Sequence, residues 1–294
     1  LKNKKFFPFP IFLNISDNQY SKIKKKKMIE AYYKRQKVCD LKIHSIFKVD
    51  KKKIGQKIFG VKDTKHPGFK KFLEESDYFL DCAIKNFNKK VMKFINFTYP
   101  NDFKKKLKKL KIKKIAGFHT RNVPHKAHEW IHMHGREKCG ALLIQPMIGQ
   151  YKKNEYKNNV IIKTNKNLVE KIYKSKKIFF AKYFSFPKYG GPREALLHAL
   201  VRKNYGCTHF MVGRDHAGIS NYYKKYESQK KCKNYEKKLN LNIIKFREPV
   251  LCKNCDKVVN EICLSCKTKK IKKISGTNIR KLIKNGKKIP NFLM

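Results

Sequence analysis

Hydrophobic and polar positions follow one pattern in the first third of the chain. Up to about residue 110, short apolar segments are separated by turns, and residues 41–49 and 57–61 alternate in part as strands do. Residues 65–68, Lys-His-Pro-Gly, have the composition of a turn. The lysine-rich segment 103–114 is either a linker or an exposed helix. This region is therefore predicted to be rich in β-structure.

From residue 111 the pattern changes to strand, helix, strand. Apolar runs at 115–120, 141–148 and 207–212 predict strands. Two helices are predicted between them: one opens at Pro124 and stops at Gly135, and one opens at Pro192 and is closed by Gly206. A further helix, capped by Ser275 or Thr277, ends near residues 285–286. The alternation indicates an α/β domain with a parallel sheet, which binds ligands at the carboxyl ends of its strands.

Charge is extreme in this chain of 294 residues. It has 73 basic and 21 acidic residues, a formal net charge of +52. Such a balance suits nucleic acid or an anionic membrane surface. It also suits compositional drift that raises Lys, Asn, Ile, Phe and Tyr together. Because the lysines are spread along most of the chain without interleaved stacking aromatics, we favour drift and expect no specific nucleic-acid partner. No apolar run reaches the roughly 18 residues of a membrane helix, so no membrane partner is expected.

Four motifs carry candidate chemistry. GFHTRNVPHKAHEW places a hydroxyl, a guanidinium and an amide just before a helix that carries two histidines three residues apart, a candidate anion site. GRDHAG is either a glycine-flanked turn or a second donor loop. GGPREA puts Arg193 in a first helical turn, where a cation is unfavourable, so it is either functional or a surface residue. ISGTNIRKLIKNG begins with either an anion site or an ordinary N-cap.

Arginine usage supports these motifs. Only eight of the 73 basic residues are Arg, and one falls in each motif: Arg121, Arg193, Arg214 and Arg280. Lysine would suffice for bulk charge, whereas a planar bidentate grip on phosphate or sulfate needs arginine.

The clustered cysteines have the spacing C-x2-C-x7-C-x2-C. These four are Cys252, Cys255, Cys263 and Cys266. Two CxxC knuckles predict a closed tetrahedral zinc site with a structural role. Two disulfides are the alternative, disfavoured in the reducing compartment expected for a chain without a visible secretory signal. We therefore expect a cytoplasmic protein, although an organelle fits as well.

Taken together, HTRNVPHKAHE, GGPREALLHALVRKNYGCTHFMVGRDHAG and ISGTNIRKLIKNGKKIP resemble the ATP sulfurylase (sulfate adenylyltransferase) family. FPFPIFL, FGVKDTKHPG and LLIQPMIG add to the resemblance, which spans roughly residues 6–294. It implies a PUA-like N-terminal domain at 1–110, a Rossmann-like nucleotidyltransferase domain at 111–240, and a small C-terminal domain with a zinc knuckle at 241–294.

The resemblance also implies a reaction. ATP and sulfate give adenylyl sulfate and pyrophosphate, or the reverse, by in-line attack of sulfate on the α-phosphate with no covalent enzyme intermediate. ATP would carry Mg²⁺, zinc would be structural, and the enzyme would be a homo-oligomer. Similar enzymes often complete the knuckle with a Cys and a His, where this chain offers Cys266.

Site roles follow from the same resemblance. The catalytic set would be Thr120, Arg121, Asn122, His125 and His128. The substrate-binding set would be His119, Arg121, Arg193 and Ala217. The nucleotide-binding set would be Gly213, Arg214, Asp215, His216 and Val250. His119 stands where the family usually has a Gln that contacts sulfate. A neutral imidazole donates one hydrogen bond as that amide does, so we expect the substitution to tune binding rather than abolish it.

Overall fold

A computed structural model describes residues 6–33, 35–93, 96–149, 155–267 and 270–294. Three sheets organise these residues: a four-stranded antiparallel sheet, a six-stranded parallel sheet and a three-stranded antiparallel sheet. Within the described segments, no helix combines the length and the apolar character needed to cross a bilayer.

The N-terminal sheet has the strand order β1-β4-β3-β2 and is flanked by short helices. Its elements are β1 (Asn14–Ile15), α1 (Asp17–Ile23), β2 (Met28–Tyr33), β3 (Gln36–Lys48), α2 (Lys51–Phe59), α3 (Pro67–Glu74), β4 (Tyr78–Lys85) and α4 (Lys89–Lys93). The strand predicted at 41–49 is confirmed by β3. The strand predicted at 57–61 is wrong, because Asp50 caps the amide of Lys53 and opens a helix that buries Ile58 and Phe59 and ends at Gly60.

The central unit is a three-layer α/β/α arrangement. Its elements are α5 (Pro100–Lys109), β5 (Ala116–Thr120), α6 (Lys126–Cys139), β6 (Leu142–Ile148), α7 (Asn158–Asn167), a π-helical turn (Leu168–Tyr173), β7 (Ile178–Phe180), β8 (Tyr183–Phe184), α8 (Gly191–Asn204), β9 (His209–Val212), α9 (Glu227–Asn234), α10 (Glu236–Leu239) and β10 (Asn242–Lys245).

Parallel strands β10-β9-β5-β6-β7 form its main path, with β8 beside β6. Leu142 and Ile144 face one hydrophobic core and Leu143 the opposite one, as the two-residue strand period requires. The predicted parallel sheet is thus confirmed. Strand β10 belongs to this sheet although the predicted domain boundary at residue 240 precedes it.

Helix α6 corrects one predicted terminus. The helix begins after His125 and runs past Gly135 to Cys139, where Gly140 adopts a left-handed conformation (φ 76°) and ends it. Gly135 is internal because the helix crosses the sheet closely there: a Cβ at this position would lie 2.5 Å from Cε of Met211. In the sequence, a glycine that allows close packing inside a helix cannot be distinguished from a glycine that ends one.

Segment 103–114 begins as a helix, α5, rather than as a linker. One face of the helix is buried through Phe103 and Leu107, and its lysines line the other face. Burial of the apolar face stabilises this helix against the repulsion between its lysines.

The C-terminal sheet has the order β12-β11-β13 and packs on the start of α6. It comprises β11 (Pro249–Cys252), β12 (Val258–Asn260) and β13 (Ile271–Lys273), followed by α11 (Gly276–Lys284). Ile274, Ile279 and Leu293 bury against Ala127 of α6. The amide of Lys126 donates to the carbonyl of Leu293, 3.1 Å away. This unit therefore sits beside the loop that connects β5 to α6.

Candidate active site

A cavity of about 220 Å³ lies at the carboxyl edge of the parallel sheet. The loops after β5 and β9 converge on it because parallel neighbours end at the same edge. Its polar lining comes from the end of β5, from both loops, and from α6 and α8: His119, Thr120, Arg121, Asn122, His128, Glu194, His198, Asp215 and His216. Phe118, Met147, Met211 and Phe246 supply apolar walls.

The loop after β5 holds Arg121 over the cavity. The hydroxyl of Thr120 accepts the amide of Asn122 at 3.0 Å, which tightens the turn. Arg121 lies with its guanidinium carbon 5.2 Å from the ring centroid of Tyr189. Its Nη1 is buried and has no hydrogen-bond partner among the described residues. An arginine nitrogen enclosed without an acceptor is placed to receive an anion.

Asn122 is fixed by two distant helices. Its side-chain oxygen accepts from Nη1 of Arg280 on α11 at 2.8 Å, and its carbonyl accepts from Asn165 on α7 at 3.2 Å. Arg280 also donates to Thr277. In the fourth motif, Ser275 is an ordinary N-cap, bonded to the amide of Asn278. The residue of that motif that contacts the loop after β5 is Arg280.

The two histidines of the first motif stack on each other. His125 is the N-cap residue of α6, and its ring centroid is 3.8 Å from that of His128 in the first turn. His128 lines the cavity, whereas His125 lies behind it, facing Gly276 of the C-terminal unit. Burial lowers the pKa of His125 to about 4 and holds the pKa of His128 well below its ordinary value. Both rings are therefore neutral at pH 7 and would act as hydrogen-bonding groups rather than cations.

The loop after β9 lines the opposite wall. Gly213, Asp215, His216 and Ala217 line the cavity. Ala217 has a left-handed backbone (φ 59°), and its carbonyl accepts the amide of Gly191 at 3.0 Å. Burial, together with the charges of Arg202 and Arg121, lowers the pKa of His216 to about 3.

Four predicted site residues lie outside the cavity lining: His125, described above, and Arg193, Arg214 and Val250. Arg214 is paired with Asp215 and Glu248 at 2.7 and 2.6 Å. Arg193 is exposed on α8, while its neighbour Glu194 is buried. Val250 is buried within β11. Closeness in the sequence to a lining residue therefore does not place a side chain in the cavity.

Glu194, His198 and Arg202 were not singled out from the sequence. All three are almost fully buried on α8. Glu194 accepts the amides of Lys188 and Gly190 at 3.0 and 2.9 Å and so shapes the turn beside Arg121. His198 Nδ1 is 3.0 Å from His216 Nε2. Ionisable residues spaced four apart, which share one face of a helix, are the signal that could have identified them.

Tyr223, which lies between β9 and α9, connects the N-terminal unit to this site. Its hydroxyl oxygen lies 2.8 and 3.0 Å from the carbonyl oxygens of Phe59 and Tyr189, either of which can accept its one proton, and 3.3 Å from Nε2 of His66. His66 is also the N-cap of α3, so the predicted turn at 65–68 leads directly into that helix. The tyrosine therefore links the N-terminal unit to the turn beside Arg121.

Comparisons with known proteins agree with this geometry. A family model described as ATP-sulfurylase matches residues 96–294, and one described as a PUA-like domain matches residues 1–89. The chain belongs to the ATP sulfurylase family. It is 34% identical to the sulfate adenylyltransferase of Ignicoccus hospitalis, over 100% of this chain and 77% of that protein. It is likewise 34% identical to that of Pyrococcus abyssi, over 90% of this chain and 70% of that protein. The resemblance identified from the motifs is confirmed.

Among solved structures, a hexameric APS kinase from Thiobacillus denitrificans shares the fold. The TM-score is 0.70 at 14% sequence identity, covering 100% of this chain and 52% of that chain. At this identity the similarity speaks for the fold alone. As an ATP sulfurylase family member, the chain combines the PUA-like unit and the parallel-sheet unit in the predicted order.

The four clustered cysteines converge in the C-terminal unit. One sulfur of each lies within 4.8 Å of the others, and Cys255 Sγ is 3.6 Å from Cys263 Sγ. Tetrahedral zinc with Zn–S bonds of about 2.3 Å separates its sulfurs by about 3.8 Å, so the arrangement fits. The four thiols could therefore hold a metal ion. No disulfide forms among the described cysteines.

Proposed function

We propose that this protein is a sulfate adenylyltransferase that converts MgATP and sulfate into adenylyl sulfate and pyrophosphate. The observation that carries the proposal is Arg121, which lines a cavity together with His119 and Ala217 and has a buried Nη1 without a partner among the described residues. A fixed guanidinium suits a sulfate dianion, and family membership supplies the nucleotide chemistry.

In the proposed reaction, a sulfate oxygen attacks the α-phosphorus of ATP. A P–O–S linkage forms, the bond from the α-phosphorus to the bridging oxygen breaks, and pyrophosphate leaves with that electron pair. Sulfate is already a nucleophile, so the protein needs no base to activate it. Catalysis then rests on positioning and on donors aimed at the developing charge.

The residue roles follow the two loops. Arg121, His119 and the Ala217 amide would bind sulfate, and Thr120 and Asn122 would hold the loop in its reactive shape. His128 would donate to the ATP phosphates, and His125 would orient His128 through their ring stack. Gly213 and Asp215 would contact the nucleotide on the opposite wall.

Three predicted roles change with the geometry. Arg214, held by two carboxylates, would shape the nucleotide loop rather than contact phosphate. Arg193 and Val250 are left out of the proposed contact set because neither lines the cavity. Glu194 replaces Arg193 as the residue of that helix that organises the site.

We propose zinc as the metal of the four-cysteine site. A closed set of four thiolates leaves no coordination position for substrate, so zinc would stabilise the C-terminal unit. That unit carries Arg280, which reaches Asn122, so the metal would act on the site indirectly. A homo-oligomer in the cytoplasm or an organelle remains our proposal for its cellular form, and light scattering would give the oligomer size.

The direct test is product formation. Purified protein incubated with MgATP, radiolabelled sulfate and an inorganic pyrophosphatase should form labelled adenylyl sulfate, because removal of pyrophosphate draws the reaction forward. A reaction without ATP is the control. Folded protein that binds ATP yet forms no labelled product would instead be a nucleotide-binding subunit without turnover.

A further inference from the structure

Arg202 is a buried cation directly behind the cavity wall. It lies on α8, is 0% exposed, and forms no salt bridge within the part of the chain that the structure describes. Its guanidinium donates through Nη2 to Nδ1 of His119 at 2.7 Å and to the carbonyl of Gln145 at 2.9 Å. A glycine lets the arginine approach β5: a Cβ on Gly117 would be 2.6 Å from Cγ of Arg202.

The contact with Arg202 determines where His119 carries its proton. A guanidinium has donors and no acceptor, so the imidazole nitrogen that faces it must supply a lone pair. Nδ1 of His119 is therefore unprotonated, and a neutral ring then carries its hydrogen on Nε2. The ring is neutral because burial, together with the nearby histidines and the charges of Arg202 and Arg121, holds its pKa well below the ordinary value.

The orientation of the His119 ring is also fixed. It stacks on His198, with centroids 4.0 Å apart and planes inclined by 25°. His119 lines the cavity, and the hydrogen bond described for its ring is the one at Nδ1, which leaves Nε2 for a ligand. The group that His119 offers to a bound anion is thus an N–H, in the cavity that Arg121 also lines.

We propose that Arg202 is a positioning residue that holds His119 in the Nε2–H tautomer, so that His119 donates a hydrogen bond to the sulfate oxyanion. This inference rests on the proposed function. In the other tautomer Nε2 would present a lone pair to a dianion, which repels it. Arg202 does not line the cavity, so it acts on the substrate through His119.

The tautomer can be measured without any activity. Long-range proton–nitrogen correlation spectra of the full chain, labelled in its histidine rings, distinguish the two neutral forms, and the His119→Gln variant assigns the His119 signal. We expect an unprotonated Nδ1 and a protonated Nε2. A protonated Nδ1 would overturn the proposal even if no Arg202 variant folded.

A double-mutant cycle then tests whether Arg202 acts through His119. Arg202→Met should raise the sulfate KM about tenfold, the effect of one charge-assisted hydrogen bond, with little change in the ATP KM. Lys203→Met on the same helix is the matched control. In a His119→Leu background, Arg202→Met should add little. An unchanged sulfate KM, or an equal rise in both backgrounds, would overturn the proposal, because Arg202 would then be neutral or merely structural.

The two proposals fail separately. An Nε2–H tautomer in a protein that forms no adenylyl sulfate would contradict the proposed function and leave the tautomer assignment intact. An Nδ1–H tautomer in an active enzyme would contradict only the role of Arg202.

Discussion

Replacement of Arg121 by lysine separates geometry from charge at the proposed sulfate site. Lysine keeps the positive charge but loses the planar fork. The enclosed Nη1 and the ring of Tyr189 against the guanidinium show that this side chain occupies one shape-matched position. A lysine ammonium would therefore reach the anion with fewer and less directed hydrogen bonds.

The expected magnitude follows from the hydrogen bonds lost. A hydrogen bond to a charged group contributes roughly 1.5–3 kcal/mol, and the substitution weakens one or two of them. A loss of roughly 3 kcal/mol corresponds to roughly a 10²-fold decrease in kcat/KM for sulfate. The loss should appear with sulfate, while ATP affinity measured in the absence of sulfate changes little.

The assay is initial-rate pyrophosphate release at varied sulfate and saturating MgATP, with folding checked by thermal melting. Arg247→Lys is the matched control, because Arg247 is exposed and paired with Glu261 away from the cavity. A folded Arg121→Lys enzyme with kcat/KM for sulfate within a few-fold of the unmodified enzyme would refute the assignment of Arg121.

Three further predictions concern the surroundings of the site. Arg280→Met removes the donor to Asn122 and should lower kcat about tenfold, whereas Lys281→Met on the same helix should not; equal rates for the two variants would refute the supporting role of α11. Metal analysis should find one zinc per chain, lost in Cys263→Ser but kept in Cys232→Ser, whose buried thiol lies outside the cluster; retention of zinc in both would contradict the site. The pKa of buried His132 is lowered to about 3, so the unfolded chain binds more protons below pH 6.5 and stability falls as pH decreases. This histidine alone should cost about 2 kcal/mol at pH 5, and His132→Gln should flatten the pH dependence of the melting temperature; an equal slope in both proteins would contradict it.

Local patterns in the sequence predict β5, β6 and β9, three of the six strands described in the parallel sheet, and the helices α6 and α8. These three strands are apolar runs, and the ends of β5 and β9 are marked by polar motifs that line the cavity. The two incorrect predictions concern sequence features that occur in more than one structural context. Gly135 serves close packing instead of a helix end, and the alternation at 57–61 hides a helix that Asp50 caps.

Contacts between distant residues could not be predicted in this way. The bond between Arg202 and His119 joins positions 83 apart, and that between Arg280 and Asn122 joins positions 158 apart. Each depends on how helices pack against the sheet, which periodicity does not specify. For the same reason the sequence could not distinguish Arg193, which is exposed, from its neighbour Glu194, which shapes the site.

One cavity is proposed to bring sulfate and the α-phosphate of ATP together. Sulfate-dependent exchange of radiolabelled pyrophosphate into ATP measures this directly, because the label enters only after adenylyl sulfate has formed and reacted back. We expect exchange that requires sulfate and Mg²⁺ and that is strongly reduced in Arg121→Lys. Folded, metal-loaded protein that binds ATP but shows no sulfate-dependent exchange would contradict the account.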